Sequence, residues 1–263
     1  MAQEVVQLTR RKFGETMRRD AWWVPQIGAL VVLSSFLAYA TWAAFQNAHY
    51  EFGSYLSPFY SPLIVGNSPH AWFQKAPWFI PAISPALLIL PFPAGFRFTC
   101  YYYRGTYYKA FWADPPGCSV GEPRKSYLGE KSFPLILQNV HRYFLYAALL
   151  FLIILGLDAW RGYWFADSSG VKHFGVGIGS LVLTINVVLL SGYTLGCHSL
   201  RHLVGGYLDR LSGRPVRKKA YDCVSCLNRG HMNWAWASLF WVAFSDIYVR
   251  LCSMGIWSDV RIL

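Results

Sequence analysis

Five stretches of this sequence are each long enough to cross a bilayer as helix, and this leaves the chain few folds to choose from. A hydrocarbon core takes about 20 apolar residues of helix. The first stretch, about 21–50, contains no charged residue; the others run over about 76–103, 137–165, 174–200 and 231–257. None alternates apolar and polar residues as a barrel strand does, so the predicted fold is an all-α integral membrane protein, a bundle of five transmembrane helices. Charged residues make up 14% of the 263, against about a quarter in soluble domains, while hydrophobic residues reach 54%. That composition excludes disorder. The net charge of +11 is diluted in apolar sequence instead of forming one basic face, so no nucleic-acid partner is expected.

No repeat or low-complexity tract divides the chain, and residues 1–263 read as a single membrane domain. The second stretch carries Pro77, Pro81, Pro85, Pro91 and Pro93, which predicts a kinked or irregular start. Gly175, Gly177 and Gly179 open the fourth stretch and suit close helix packing. Residues 1–20 hold five Lys and Arg and lack the short apolar core of a signal peptide, so the first stretch is expected to persist in the mature protein.

Orientation follows from the placement of Lys and Arg. The N-terminal segment has five, the connection from Arg97 to Arg142 has seven, and that from Arg201 to Arg229 has seven. The opposite side has Lys75, then Arg161 and Lys172, then Arg250 and Arg261, giving 19 against 5 in step with five crossings. The positive-inside rule then puts the N-terminus in the cytoplasm and the C-terminus outside, in a multi-pass protein of the cell membrane. Asp158 and Asp246 lie near the outer ends of the third and fifth stretches, where Arg161 and Arg250 are the expected partners.

This topology gathers metal-capable side chains at the cytoplasmic level. Cys100 ends the second stretch, His141 begins the third, Cys197 and His198 end the fourth, and His231 begins the fifth. Cys118 and the pair Cys223 and Cys226 fall in cytoplasmic loops, the pair spaced as C-x-x-C just before His231. Cytoplasmic thiols stay reduced, which favours metal ligation over disulfides. Three chemistries fit. Heme b takes axial histidines, and a Rieske-type [2Fe–2S] cluster takes two thiolates on one iron and two imidazoles on the other. Zinc accepts the same ligands without carrying electrons. His198 and His202, four apart, share a helix face from which Cys197 is turned by about 100°.

The strings RFTCYYYR (97–104), FWADPPGC (111–118), ILQNVHRYFLY (136–146), GYTLGCHSLRH (192–202) and RGHMNWAW (229–236) resemble the five-helix membrane-anchor subunit of actinobacterial succinate dehydrogenase, complex II. The resemblance covers most of residues 20–260. It implies an anchor for a flavoprotein subunit and an iron–sulfur subunit, which handle succinate and relay electrons, so this chain does no succinate chemistry itself. It further implies that electrons pass to a quinone of the menaquinone or ubiquinone type, with membrane lipid around the chain.

Related anchors hold heme b between histidines within their helices, whereas the end of the second stretch here carries Cys100. The resemblance is to the heme-less branch, in which a Rieske-type [2Fe–2S] cluster is the implied carrier. The implied ligands are Cys100 and Cys197 on one iron and His141 and His231 on the other, with His198 the rival imidazole and Cys118 the rival thiolate. A heme b anchor using His198 with His141 or His231 is the alternative within the class. A quinone needs an apolar cleft with one or two polar groups. Arg19, Trp22, Trp23, Tyr101 and Trp234 lie at the right level, where Trp and Tyr also serve as interfacial anchors. From other classes, a transporter lacks the intramembrane charges of a substrate route, and a zinc-stabilised scaffold would be redox-silent.

Overall fold

The computed structural model describes residues 12–75, 83–124, 133, 135–206 and 213–263. Arg10 and Arg11, and Pro77 and Pro81 with the rest of 76–82, lie outside the described residues. Lys125, Lys131 and Arg210 from the charge pattern do so as well. Helix α1 (Val24–Gln46) is followed by a hairpin of β1 (Glu51–Phe52) and β2 (Tyr55–Leu56), then by α2 (Pro85–Ile89), α3 (Pro91–Phe98) and α4 (Tyr101–Tyr107). A π-helical turn (Tyr108–Trp112) and a 3-10 segment (Leu135–Val140) precede α5 (His141–Arg161). A second hairpin, β3 (Trp164–Ala166) with β4 (Lys172–Phe174), leads to α6 (Ile178–Leu195), α7 (His198–Gly205), α8 (Pro215–Arg229) and α9 (His231–Ser253).

The regular structure is therefore mostly helical, with two short antiparallel hairpins between helices. Among the described residues three helices are long and apolar enough to cross a membrane: Val24–Gln46, Ile136–Arg161 and Ile178–Leu195. Helix α9 equals α1 in length, 23 residues, but carries Asp246 and Arg250. The described part of the second stretch is broken into short helices, in line with the kinked or irregular start that its prolines predict. Proline cannot donate to the helical ladder and starts helices more readily than it continues them; α2 begins at Pro85 and α3 at Pro91. The C-x-x-C pair departs from expectation. Cys223 and Cys226 sit within the 15-residue helix α8, not in a loop, because Pro215 opens a helix that no Gly or Pro interrupts before Gly230.

The chain forms two compact units: the described residues up to Leu37 with Phe98–Asn139, and Ala38–Arg97 with Val140–Leu263. In the first, the segment after residue 12 is tied to the loop before Gly121. Gly14 N donates to Gly121 O at 3.0 Å, and Gly121 N donates to Glu15 O at 2.9 Å. Arg18 Nη1 donates to the Cys118 carbonyl at 3.2 Å, and Gln26 Nε2 to the Pro116 carbonyl at 3.0 Å.

In the second unit α6 is the central element, packed against α5 and α9. Tyr55, Ala159, Leu183 and Val249 form a core cluster there, and Val182, Tyr248 and Cys252 another. The segment 55–63 is buried throughout, although it lies between the first two apolar stretches. It is held by carboxylates of the helices: Ser57 donates to Asp246, and Ser61 donates to Asp158. Asp246 also accepts from Tyr39 and pairs with Arg250 at 3.3 Å, and Arg250 donates to the Ala48 carbonyl at 2.8 Å. Arg161 pairs with Asp158 at 3.0 Å, so both expected carboxylate–arginine pairs form.

Helix α6 has no acidic residue in its own first turn. Asp259 supplies one from the C-terminal tail, accepting from Gly179 N at 2.9 Å, where the helix dipole favours negative charge. Tyr55 and Tyr248 donate to the same carboxylate, each at 2.7 Å. Burial, with Asp259 beside it, pushes the Tyr55 hydroxyl above the ordinary phenol range, so it remains a donor. The glycines at this end serve a different contact from the helix packing expected of them. A Cβ on Gly179 would lie 2.5 Å from the Tyr55 ring, and one on Gly177 would lie 2.4 Å from its hydroxyl. Because Tyr55 is 1% exposed, the ring has nowhere to retreat. Gly179→Ala is expected to cost about 1–3 kcal/mol by overpacking, read as a lower unfolding temperature of the purified protein; an unchanged temperature would show that the ring moves freely.

Candidate functional site

His141 and Cys197 meet in the second unit. His141 is the first residue of α5 and Cys197 caps the N-terminus of α7, with extended backbone angles of −66° and 138°. The His141 Nε2 and Cys197 Sγ atoms are 3.1 Å apart in a buried hydrogen bond. The sulfur also accepts from Ser199 N at 3.3 Å. The meeting depends on the turn between α6 and α7, where Gly196 approaches the Gly192 and Leu227 carbonyls too closely for a side chain; a Cβ there would lie 2.7 and 3.1 Å from them.

Aromatic rings continue from this contact. The His141 imidazole stacks on Phe96, centroids 4.7 Å apart and planes 10° off parallel. Phe96 meets Tyr193 edge-on at 5.4 Å, and Tyr193 stacks on His231, the first residue of α9, at 5.0 Å and 19°. Arg97 locks this ladder: its guanidinium lies 4.6 Å over the Tyr193 ring and donates to Ala235 O at 3.1 Å and Ser238 Oγ at 2.8 Å. One thiol and two imidazoles, contributed by three helix starts, thus share a ring-packed region of low polarity. Of the three, only His141 and Cys197 are in direct contact; the Phe96 and Tyr193 rings stand between His141 and His231.

The remaining candidates are placed as follows. Cys100 is buried at the N-cap of α4, in the first unit. Cys118 is exposed in the same unit. His198 is exposed and turned to His202, their Nε2 atoms 3.0 Å apart. Cys223 and Cys226 are exposed on α8. None of the six cysteines, all among the described residues, is in a disulfide. Among the described residues no three of His, Cys, Asp and Glu stand grouped to hold a metal ion.

Of the aromatic and cationic candidates, Arg19 and Trp23 are exposed in the first unit. Trp22 packs against Gly117, where a Cβ would lie 3.2 Å from its ring, and Tyr101 lies under the Arg104 guanidinium at 4.7 Å. Trp234, in the second unit, covers Gly192 so closely that a Cβ there would lie 2.5 Å from its ring.

Sequence reasoning missed Phe96, Tyr193 and Arg97 as parts of the site. Arg97 offered a signal: a cation at the end of an apolar stretch needs partners. Replacing it tests the ladder. Arg97→Gln removes hydrogen bonds from a charged donor and is expected to cost about 1.5–3 kcal/mol, seen as earlier thermal unfolding in detergent; wild-type behaviour would show that the stacked rings hold without it.

Residues 24–255 match the model of the family described as actinobacterial succinate dehydrogenase subunit SdhC. A solved structure of the Mycobacterium smegmatis Sdh1 complex in the apo form contains a chain 42% identical to this one, with all of both chains covered and a TM-score of 0.85. No curated protein sequence matches. With the match extending over nearly the whole chain, this protein belongs to the actinobacterial SdhC family, the membrane-anchor subunits of succinate dehydrogenase.

Proposed function

We propose that this subunit passes electrons from an iron–sulfur subunit to a membrane quinone through a Rieske-type [2Fe–2S] cluster. The observation that carries the reading is the buried contact of His141 Nε2 with Cys197 Sγ at 3.1 Å, joined through stacked rings to His231. An imidazole against a thiol, both withdrawn from solvent, matches half of a set of two sulfurs and two nitrogens. The set proposed is Cys197 with His141 and His231, and Cys100 as the second thiolate by family resemblance. When bound, such a cluster supplies a one-electron carrier of higher potential than a four-cysteine cluster.

The protein's own residues orient the donors. Ser199 N donates to the Cys197 sulfur, Phe96 fixes the plane of His141, and Tyr193 fixes that of His231. Arg97 holds Tyr193 in turn and brings a positive charge beside the rings. Arg19, Trp22, Trp23 and Tyr101 of the first unit, and Trp234 of the second, are the groups proposed to face a quinone of the menaquinone or ubiquinone type. The flavoprotein and iron–sulfur subunits are proposed to dock on the basic side.

The same reading takes five crossings, with α9 and the segment around α3 as the two beyond the three apolar helices, and a cytoplasmic N-terminus. An impermeant maleimide is expected to label the exposed Cys223 and Cys226 in inverted vesicles and not in intact spheroplasts; labelling from outside would reverse the orientation. For the carrier, the purified complex should contain iron and acid-labile sulfide beyond the iron–sulfur subunit's share. The double variant His141→Ala/His231→Ala should lose that excess and lose quinone reduction, while succinate oxidation with artificial acceptors persists. Quinone reduction retained in the double variant defeats the cluster relay. A sharp heme band in the reduced spectrum would transfer the role to heme b on the histidines.

A further inference from the structure

A cavity of about 810 Å³ opens in the second unit at the end away from His141 and Cys197, between the two hairpins and the C-terminal tail. Three cations line it: Arg161 from the last turn of α5, Lys172 from β4, and Arg261 from the tail. The tail is held in place by backbone bonds of Val176 with Ile262 and Leu263, and Arg261 also lies 4.1 Å over the Phe165 ring. One carboxylate, Asp259, shares the lining, but its oxygens already accept from Tyr55, Tyr248 and Gly179. Arg161 is also paired with Asp158 at 3.0 Å, so three cations stand against two carboxylates and the cavity keeps one net positive charge, with Lys172 and Arg261 the cations outside that pair.

The position of these charges is unusual. Only five of the 24 Lys and Arg fall on this side of the charge pattern, and three of the five converge here. Arg250 is buried in its ion pair with Asp246, so it does not contribute. The cavity also sits at the level of an aromatic belt. Trp160, Tyr163, Trp164 and Phe174 form a ring cluster beside it, of the kind that marks the headgroup layer. Phe52 and Trp72 add apolar surface at its rim, 37% and 58% exposed. Below Arg161 an exposed apolar ridge runs down one face of α5 through Leu157, Ile153 and Leu150, at helical spacings of four, four and three.

We propose that this cavity binds the headgroup of an anionic phospholipid, with its phosphodiester among Arg161, Lys172 and Arg261 and an acyl chain along the Leu157–Ile153–Leu150 ridge. The ridge gives an acyl chain a place to lie directly beside the cations, which a free anion would not use, and the phosphate arm of the test separates the two. The volume suits a headgroup with part of its glycerol. The site is separate from the proposed electron route, so it stands or falls independently of it.

The test uses the purified complex, delipidated in detergent and titrated with phosphatidylglycerol, phosphatidylcholine or inorganic phosphate, with adducts counted by native mass spectrometry. Phosphatidylglycerol should bind at lower concentration than phosphatidylcholine, and millimolar inorganic phosphate should not displace it. Lys172→Gln and Arg261→Gln should each weaken that binding about fivefold, as expected for one charge at a membrane surface. Lys172→Arg should restore it, and Lys75→Gln, on the same side but outside the lining, should leave it unchanged. Equal binding of both lipids, or no response to the two cavity variants, overturns the proposal. Displacement by phosphate at matching concentration would make this a small-anion site and overturn the lipid assignment.

Discussion

A chain that lives in hydrocarbon must answer every buried polar group from within itself, because no water is available to do so. The pair Asp246 and Arg250 shows how the second unit meets this demand. Both are buried, 0% and 4% exposed, and an ion removed from water is costly unless its partner and hydrogen bonds are complete. Asp246 receives Tyr39, Ser57 and Arg250; Arg250 reaches on to the Ala48 carbonyl. Through these bonds the end of α1, the buried segment 55–63 and α9 are fastened together. Asp158 repeats the device with Ser61 and Arg161, and Asp259 repeats it with two tyrosines and the start of α6.

The opposite end of the unit uses rings where this end uses carboxylates. His141, Phe96, Tyr193 and His231 stack in series, and the one charge among them, Arg97, is satisfied by a ring face, a carbonyl and a hydroxyl. Such a site can hold neutral donors without solvent and without mobile counter-charges. That is the environment in which imidazole and thiol can bind a metal centre firmly and in which a change of charge is strongly felt. The division of labour is physical: ion pairs secure the loops, and stacked rings orient the donors.

Much of this was legible beforehand because it depends on local composition. The helical character of 21–50, 137–165 and 174–200 follows from length and apolarity, and helices occupy each. His141 and His231 at helix starts, and the pairing of Asp158 and Asp246 with their arginines, follow from spacing along one helix. The burial of 55–63 was not foreseen. Its cue was the absence of any charged residue between Phe52 and Gln74, but serines, prolines and tyrosines without helical period do not say what they pack against. The division of the second stretch at Pro85 and Pro91, and the helix around Cys223 and Cys226, followed from local proline placement, since Pro85, Pro91 and Pro215 each open a helix.

The amino-acid order alone settled the membrane setting, the helical class, the charge asymmetry and the set of Cys and His available for chemistry, since each is a sum over neighbouring residues. It also carried the motifs by which the family is known. Which donors meet was a matter for tertiary packing. His141 and Cys197 are 56 residues apart, and their 3.1 Å contact exists because α5 and the turn after α6 converge there. His198, adjacent to Cys197 in the chain, turns instead to His202, because consecutive positions at the start of a helix point in different directions. Likewise Arg161, Lys172 and Arg261 share one cavity only because a hairpin and the C-terminal tail fold back onto the same end of the unit.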